Sequence, residues 1–102
     1  MERRLQLQAE LEAVLGSENV YFQPPSSFQM AYPCIRYELD EIDAKHANNR
    51  IYMKKKAYLV TYISNDPDDD LSDDILVSFP LIRFDRHYTA DNLHHFVYKI
   101  YY

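Results

Sequence analysis

Glycine, cysteine and tryptophan are nearly missing from this 102-residue chain, which has one Gly, one Cys and no Trp. A single glycine rules out the phosphate-cradling loops and dinucleotide fingerprints, because each needs several at fixed spacing. The lone Cys34 cannot make an internal disulfide, which suits a reducing compartment or a fold that needs no cross-link. Set in a strand-like run between Pro33 and Ile35, it reads as a buried, inert thiol. Positive charge is also short: eleven Lys and Arg against sixteen Asp and Glu leave a net charge of −5. That argues against duplex DNA as a tightly held ligand, since phosphate neutralisation needs a basic footprint. No apolar run approaches the roughly 18–20 residues that a membrane helix requires. The first residues carry no leader pattern, so the expectation is a protein made in the cytoplasm and used there at least initially.

What the chain does have is apolar and aromatic. Hydrophobic residues make up 47% of it, enough to set disorder aside, and ten Tyr and five Phe supply much of that content. Tyr favours strands and also suits partner surfaces, having a large apolar face and a polar tip. The length fits one domain, residues 1–102, with a single modest core.

Residues 3–15 are helix formers throughout, with Leu7, Leu11, Val14 and Leu15 on one stripe and Gly16 placed to cap the end. A short apolar run, residues 19–23, precedes Pro24 and Pro25 and predicts a brief strand and a stiffened loop. Residues 32–39 alternate, with Ile35, Tyr37 and Leu39 on one face; residues 58–63 alternate again, with Tyr58, Val60 and Tyr62 together. Between them, residues 40–56 are polar and mixed in charge, and predict a long connection whose flanking arms extend beyond the sheet. Ser72 predicts an N-cap for a second, brief helix that uses Ile75, Leu76 and Phe79. Residues 81–88 predict a fourth strand, in which Phe84 and Ile82 point into the core and Arg86 and His87 leave it. Residues 89–92 predict a turn, and Asn92 opens a last strand with Phe96, Tyr98, Ile100 and Tyr102 on one side. The expected fold is α+β: a mainly antiparallel sheet of four to five strands, with an N-terminal helix and a short second helix packed on it.

Chemistry is not advertised. Asp66, Asp68 and Asp70 alternate as in a calcium loop, but Leu71 and Val77 stand where Gly and Glu are needed, and acidic helix capping explains the cluster. His94 and His95, as strand neighbours, point to opposite faces, so no metal site is expected of His87, His94 and His95. Asp43-x-Lys45 has the acid-x-Lys form of metal-dependent nucleases, but it falls in the predicted connection, without a second carboxylate held beside it. No catalytic residue and no cofactor is expected. A small domain that closes on an aromatic strand and carries no catalytic signature is expected to work by assembling.

Three blocks carry a resemblance. They are Leu15-Gly-Ser-Glu-Asn-Val-Tyr-Phe-Gln-Pro-Pro25 with Tyr32-Pro-Cys-Ile-Arg-Tyr37, then Tyr58-Leu-Val-Thr-Tyr62 leading to Asp66-Pro-Asp68, then Phe84-Asp-Arg-His-Tyr-Thr-Ala-Asp-Asn-Leu-His-His-Phe-Val-Tyr98. In collinear order over nearly the whole chain, they resemble the tail completion, or tail terminator-type, proteins of long-tailed bacteriophages. The third block is the most specific. The resemblance implies a structural virion protein without cofactor, assembled in the host cytoplasm into the tail or neck. Its copies would form a homo-oligomeric ring, commonly a hexamer, that caps the tail tube protein and meets the head–tail connector or stopper proteins. DNA would pass through the channel unbound, and six copies at −5 would set about −30 around it. The expected interface residues are Arg50, Lys54, Lys55 and Lys56 in the charged connection, and Asp85, Arg86, His87 and Tyr88 before the last strand. Asp85 and Arg86 fit equally a pairing with a neighbouring subunit and one within the chain. The alternatives are a cytoplasmic protein-binding module, another head–tail connector or stopper component, and a small nuclease using Asp43 and Lys45.

Overall fold

A computed structural model describes residues 2–24, 29, 31–47, 50–66 and 68–102. Among them are two helices and five strands: α1 (Glu2–Leu15), β1 (Val20–Phe22), β2 (Cys34–Ala47), β3 (Arg50–Ser64), α2 (Leu71–Ser78), β4 (Ile82–Ala90) and β5 (Leu93–Tyr101). The strands form one sheet in the order β1-β2-β3-β5-β4. Only β1 and β2 run parallel; the other three pairings are antiparallel. The expected α+β class, its mainly antiparallel sheet and both helices are observed.

The helix stripe and the strand alternation meet on one face of the sheet. Leu7 and Leu11 of α1 and Ile75 of α2 are fully buried against Ile35, Tyr37, Tyr58, Val60, Tyr62, Tyr98 and Ile100. Val14, Leu15, Phe96 and Tyr102 pack on the margin of this cluster, as their spacing predicts. Burying a side chain of this size is worth about 1.5–3 kcal/mol, so this single layer dominates stability. Polar contacts fix where α1 lies. Tyr37 donates its hydroxyl to Gln8 Oε1 at 2.5 Å, Gln8 Nε2 donates to the Val20 carbonyl at 3.0 Å, and the Arg4 guanidinium lies 4.4 Å from the centre of the Phe22 ring. Gly16, at φ 74°, ends the helix, and its N–H bonds the Glu12 carbonyl at 2.8 Å.

The charged stretch 40–56 is a correction. It is not a connection but strand, paired from Glu41↔Ala57 to Ala47↔Arg50. The polar composition belongs instead to a two-stranded ribbon, paired only β2 to β3 over these residues among those described. Since β5 pairs with β3 only as far as Ala57, seven residues of each arm run on past the sheet, roughly 23 Å at strand rise. The extents are 51 × 27 × 23 Å, and the radius of gyration, 14.6 Å, exceeds the roughly 13 Å of a compact domain of this length. The expected extension of the arms is therefore present, made by residues 41–47 and 50–56. Asn48 and Asn49, at its tip, lie outside the described residues.

The last hairpin departs from expectation in three places. First, β4 runs to Ala90 and the turn is only Asp91-Asn92, both at positive φ (53° and 61°), the pattern of a two-residue type I′ hairpin. Second, Arg86 and His87 stay in the strand, paired with Val97 and Phe96. A register shift at Asp85 accommodates one extra residue, which simple alternation does not anticipate. Third, Phe84 is not core: it is 46% exposed, because α2 ends short of it, while Ile82 does pack on the cluster.

Candidate functional site: the exposed edge at β4 and α2

Asp69 sets the position of α2. Its carboxylate accepts the hydroxyl of Tyr62, the hydroxyl of Ser64 at 3.0 Å and the backbone N–H of Leu71 at 2.8 Å. The predicted N-cap, Ser72, lies inside the helix, with its hydroxyl on the Asp69 carbonyl at 3.4 Å. Asp70 holds the N-cap position without a side-chain bond, so the capping carboxylate is Asp69, one residue earlier. Partial burial raises the Asp69 pKa, but the bonds from Tyr62, Leu71 and Ser64 outweigh it and leave the carboxyl below its usual value. Burial, and then the bond to Asp69, push the Tyr62 phenol well above its usual range. Farther along the helix, Tyr98 donates to the Ser72 carbonyl at 2.7 Å, tying α2 to β5.

Only part of α2 is used by the core. Ile75 and Phe79 are buried, while Leu76 is 39% and Val77 81% exposed. Beside the helix a groove of about 450 Å³ opens, lined by Ser72, Asp73, Leu76, Phe84, His87, Phe96 and Tyr98. It follows from a helix too short to cover the width of β5 and β4. The Phe84 ring meets Tyr98 edge-on at 5.6 Å, and the His87 ring lies 4.7 Å from that of Phe96. Sequence reasoning missed this groove. The available signal was Val77, which cannot share a helical face with Ile75 and Phe79.

Outside the groove, β4 is the last strand of the sheet and is exposed along nearly its whole length. Such an edge offers unpaired backbone N–H and C=O groups to another chain. Of the expected interface residues, Asp85, Arg86, His87 and Tyr88 all lie here, and all are exposed. Asp85 and Arg86 pair with each other, Oδ2 to Nη1, at 2.7 Å. Between the two pairings expected of them, this geometry has the one within the chain. The Tyr88 ring stacks on His95 at 4.6 Å, and His95 Nδ1 bonds the Leu93 carbonyl at 3.1 Å. His94 lies on the other face, with His87, so these neighbours do diverge as strand geometry requires.

The other expected interface residues are elsewhere. Lys56 is half-buried at the base of the ribbon, opposite Ile42, whereas Tyr88 is level with His95 and Ile63. Seven residues along β3, roughly 23 Å, separate those levels, so the eight residues form two patches. The side chains of Arg50, Lys54 and Lys55 lie outside the described residues. Asp43 and Lys45 are on β2, not in a loop, and among the described residues the only strand paired with that arm is β3. Their side chains also lie outside the described set.

Cys34 is fully buried, and burial pushes its thiol up to about 11, the opposite of an activated nucleophile. Among the described residues, no three or more His, Cys, Asp or Glu side chains are grouped to hold a metal ion, and no helix is long and apolar enough to cross a membrane. No protein-family model matches the chain, and no curated protein matches it.

Proposed function

We propose that this chain is a ring-forming tail completion or tail terminator subunit of a long-tailed bacteriophage. In this role it caps the tail tube and joins it to the connector of the filled head. The observation that carries the proposal is where the most specific block of resemblance falls. Residues 84–98 make the β4–β5 hairpin, whose outer strand is the exposed edge and bears Asp85, Arg86, His87 and Tyr88. The ribbon supports the same reading, since arms running some seven residues past the sheet suit a subunit that reaches its neighbours. The net charge of −5 fits a channel through which DNA slides.

The groove beside α2 favours a second reading, a protein-binding module that acts as a monomer. Deleting the gene from the phage genome that encodes the chain separates the two. The proposal expects filled heads and separate tails that fail to join, with joining restored by the chain supplied in trans. Infectious, joined particles made without it would overturn the proposal.

A further inference from the structure

From the cross-strand geometry of His87 and His94 we infer that the open end of the β4–β5 hairpin chelates a borderline divalent cation, with Zn²⁺ as the representative ion. Adjacent histidines on a strand point to opposite faces, so His94 and His95 do not share a metal. The pair that meets is a different one. His87 on β4 faces Phe96 and His94 on β5 faces Thr89, so the two histidines are diagonal neighbours on one face. The His87 Nε2 and His94 Nδ1 atoms are 3.2 Å apart.

The rings are 5.4 Å apart between centroids and only 17° from parallel. With each ring nitrogen about 1.2 Å from its centroid, the arrangement is nearly in line and edge to edge, so the two nitrogens point at one another. One ring donates and the other accepts, so the shared proton sits where a metal would replace it. Two imidazoles on a tetrahedral Zn²⁺ at about 2.0–2.1 Å put their nitrogens about 3.3 Å apart, close to the observed spacing. Chelation therefore needs a tilt of each ring toward a common point, about 35° for a tetrahedral angle, and no movement of the strands. The Phe96 ring, 4.7 Å from that of His87, backs one side of the pair. The groove that His87 lines is also lined by Asp73, and the protein is acidic overall, both favourable to a cation. With two protein ligands the site is open, its other positions left to water. Binding takes the lone pair of both facing nitrogens, so the proton between the rings moves to the far nitrogen of its own imidazole, which stays neutral.

The test is titration of the full-length, untagged chain with ZnCl₂ at pH 7.5, by calorimetry and by ¹H–¹⁵N spectra of the imidazole nitrogens. One Zn²⁺ per chain is expected, with the largest shifts at His87 Nε2 and His94 Nδ1. His87→Ala and His94→Ala should each weaken binding at least tenfold. His95→Ala and His46→Ala should leave it unchanged, and unaltered far-ultraviolet spectra would show that the variants fold. No binding up to millimolar Zn²⁺, or binding that survives both His87→Ala and His94→Ala, overturns the inference. So does loss on His46→Ala or His95→Ala instead.

Discussion

Replacing Asp69 with Ala removes the acceptor on which three groups converge. The Tyr62 hydroxyl, the Ser64 hydroxyl and the Leu71 N–H all donate to that one carboxylate. Tyr62 and Ser64 are buried, so neither hydroxyl can turn freely to bulk water. A hydrogen bond to a charged group contributes about 1.5–3 kcal/mol, and leaving a buried donor unsatisfied costs about 1–3 kcal/mol. The three bonds share one acceptor, and Asp69 is itself half-buried, so water offsets part of the loss. The expected net cost of Asp69→Ala is about 3 kcal/mol, a large share of the roughly 5–15 kcal/mol typical of a domain. The assay is urea unfolding, followed by tyrosine fluorescence and circular dichroism. Tyr62→Phe should cost less, about 1 kcal/mol, because it removes donor and desolvation together. Pairing the two substitutions in a double-mutant cycle should give a coupling above about 0.5 kcal/mol. The pH dependence has a definite sign. Because the folded-state pKa of Asp69 is lowered, its contribution is present above the unfolded value, near 3.8, and is lost as pH falls through the folded value. The stability gap between wild type and Asp69→Asn should thus be constant near neutrality and shrink below about pH 4. A cost under about 1 kcal/mol for Asp69→Ala, or full additivity with Tyr62→Phe, would refute the reasoning.

Gly16→Ala should destabilise by about 1 kcal/mol in the same assay, purely through its φ of 74°, since an added Cβ meets no atom within 4 Å. An unchanged midpoint would mean that α1 ends differently. Replacing the projecting arms, residues 44–54, by a two-residue turn between the paired Asp43 and Lys55 should leave the melting temperature within a few degrees while abolishing head–tail joining. A variant that joins normally would deny the ribbon a role in assembly. Arg86→Ala breaks only an exposed pair, which is worth about 0–1 kcal/mol. Its melting temperature should therefore be unchanged, and any assembly defect would place Arg86 at an interface; lost stability would make the pair structural.

The core was legible because it rests on period alone. The stripe of Leu7 and Leu11 and the alternation through Tyr58, Val60 and Tyr62 require only that apolar side chains face one way. The ribbon was not, since residues 40–56 are polar and mixed in charge and carry no apolar alternation to read, although their backbone pairs as strand. Asp69 was hidden for another reason. Among the aspartates between residues 66 and 74, nothing in the sequence marks the one that lies beside Tyr62, a contact made by the return of the chain past β3. Counting in twos put Phe84 on the right face, opposite Tyr98, but could not show that this end of the sheet is left partly open, so that Phe84 lines a groove instead of the core. The exposed residues Asp85, Arg86, His87 and Tyr88 were found as a group because charge and aromatics bunched near a hairpin turn mark a sheet end. Their division between two faces needed the register.

The most direct measurement of the proposed role is cryo-electron microscopy of tailed particles assembled in the presence of this chain, at the junction of head and tail. The expected density is a closed ring of copies at the head-proximal end of the tail tube, with the β4 edge or the β2–β3 ribbon of each copy against its neighbour. A junction that lacks the chain, or holds it as an isolated decoration outside any ring, would contradict the assignment.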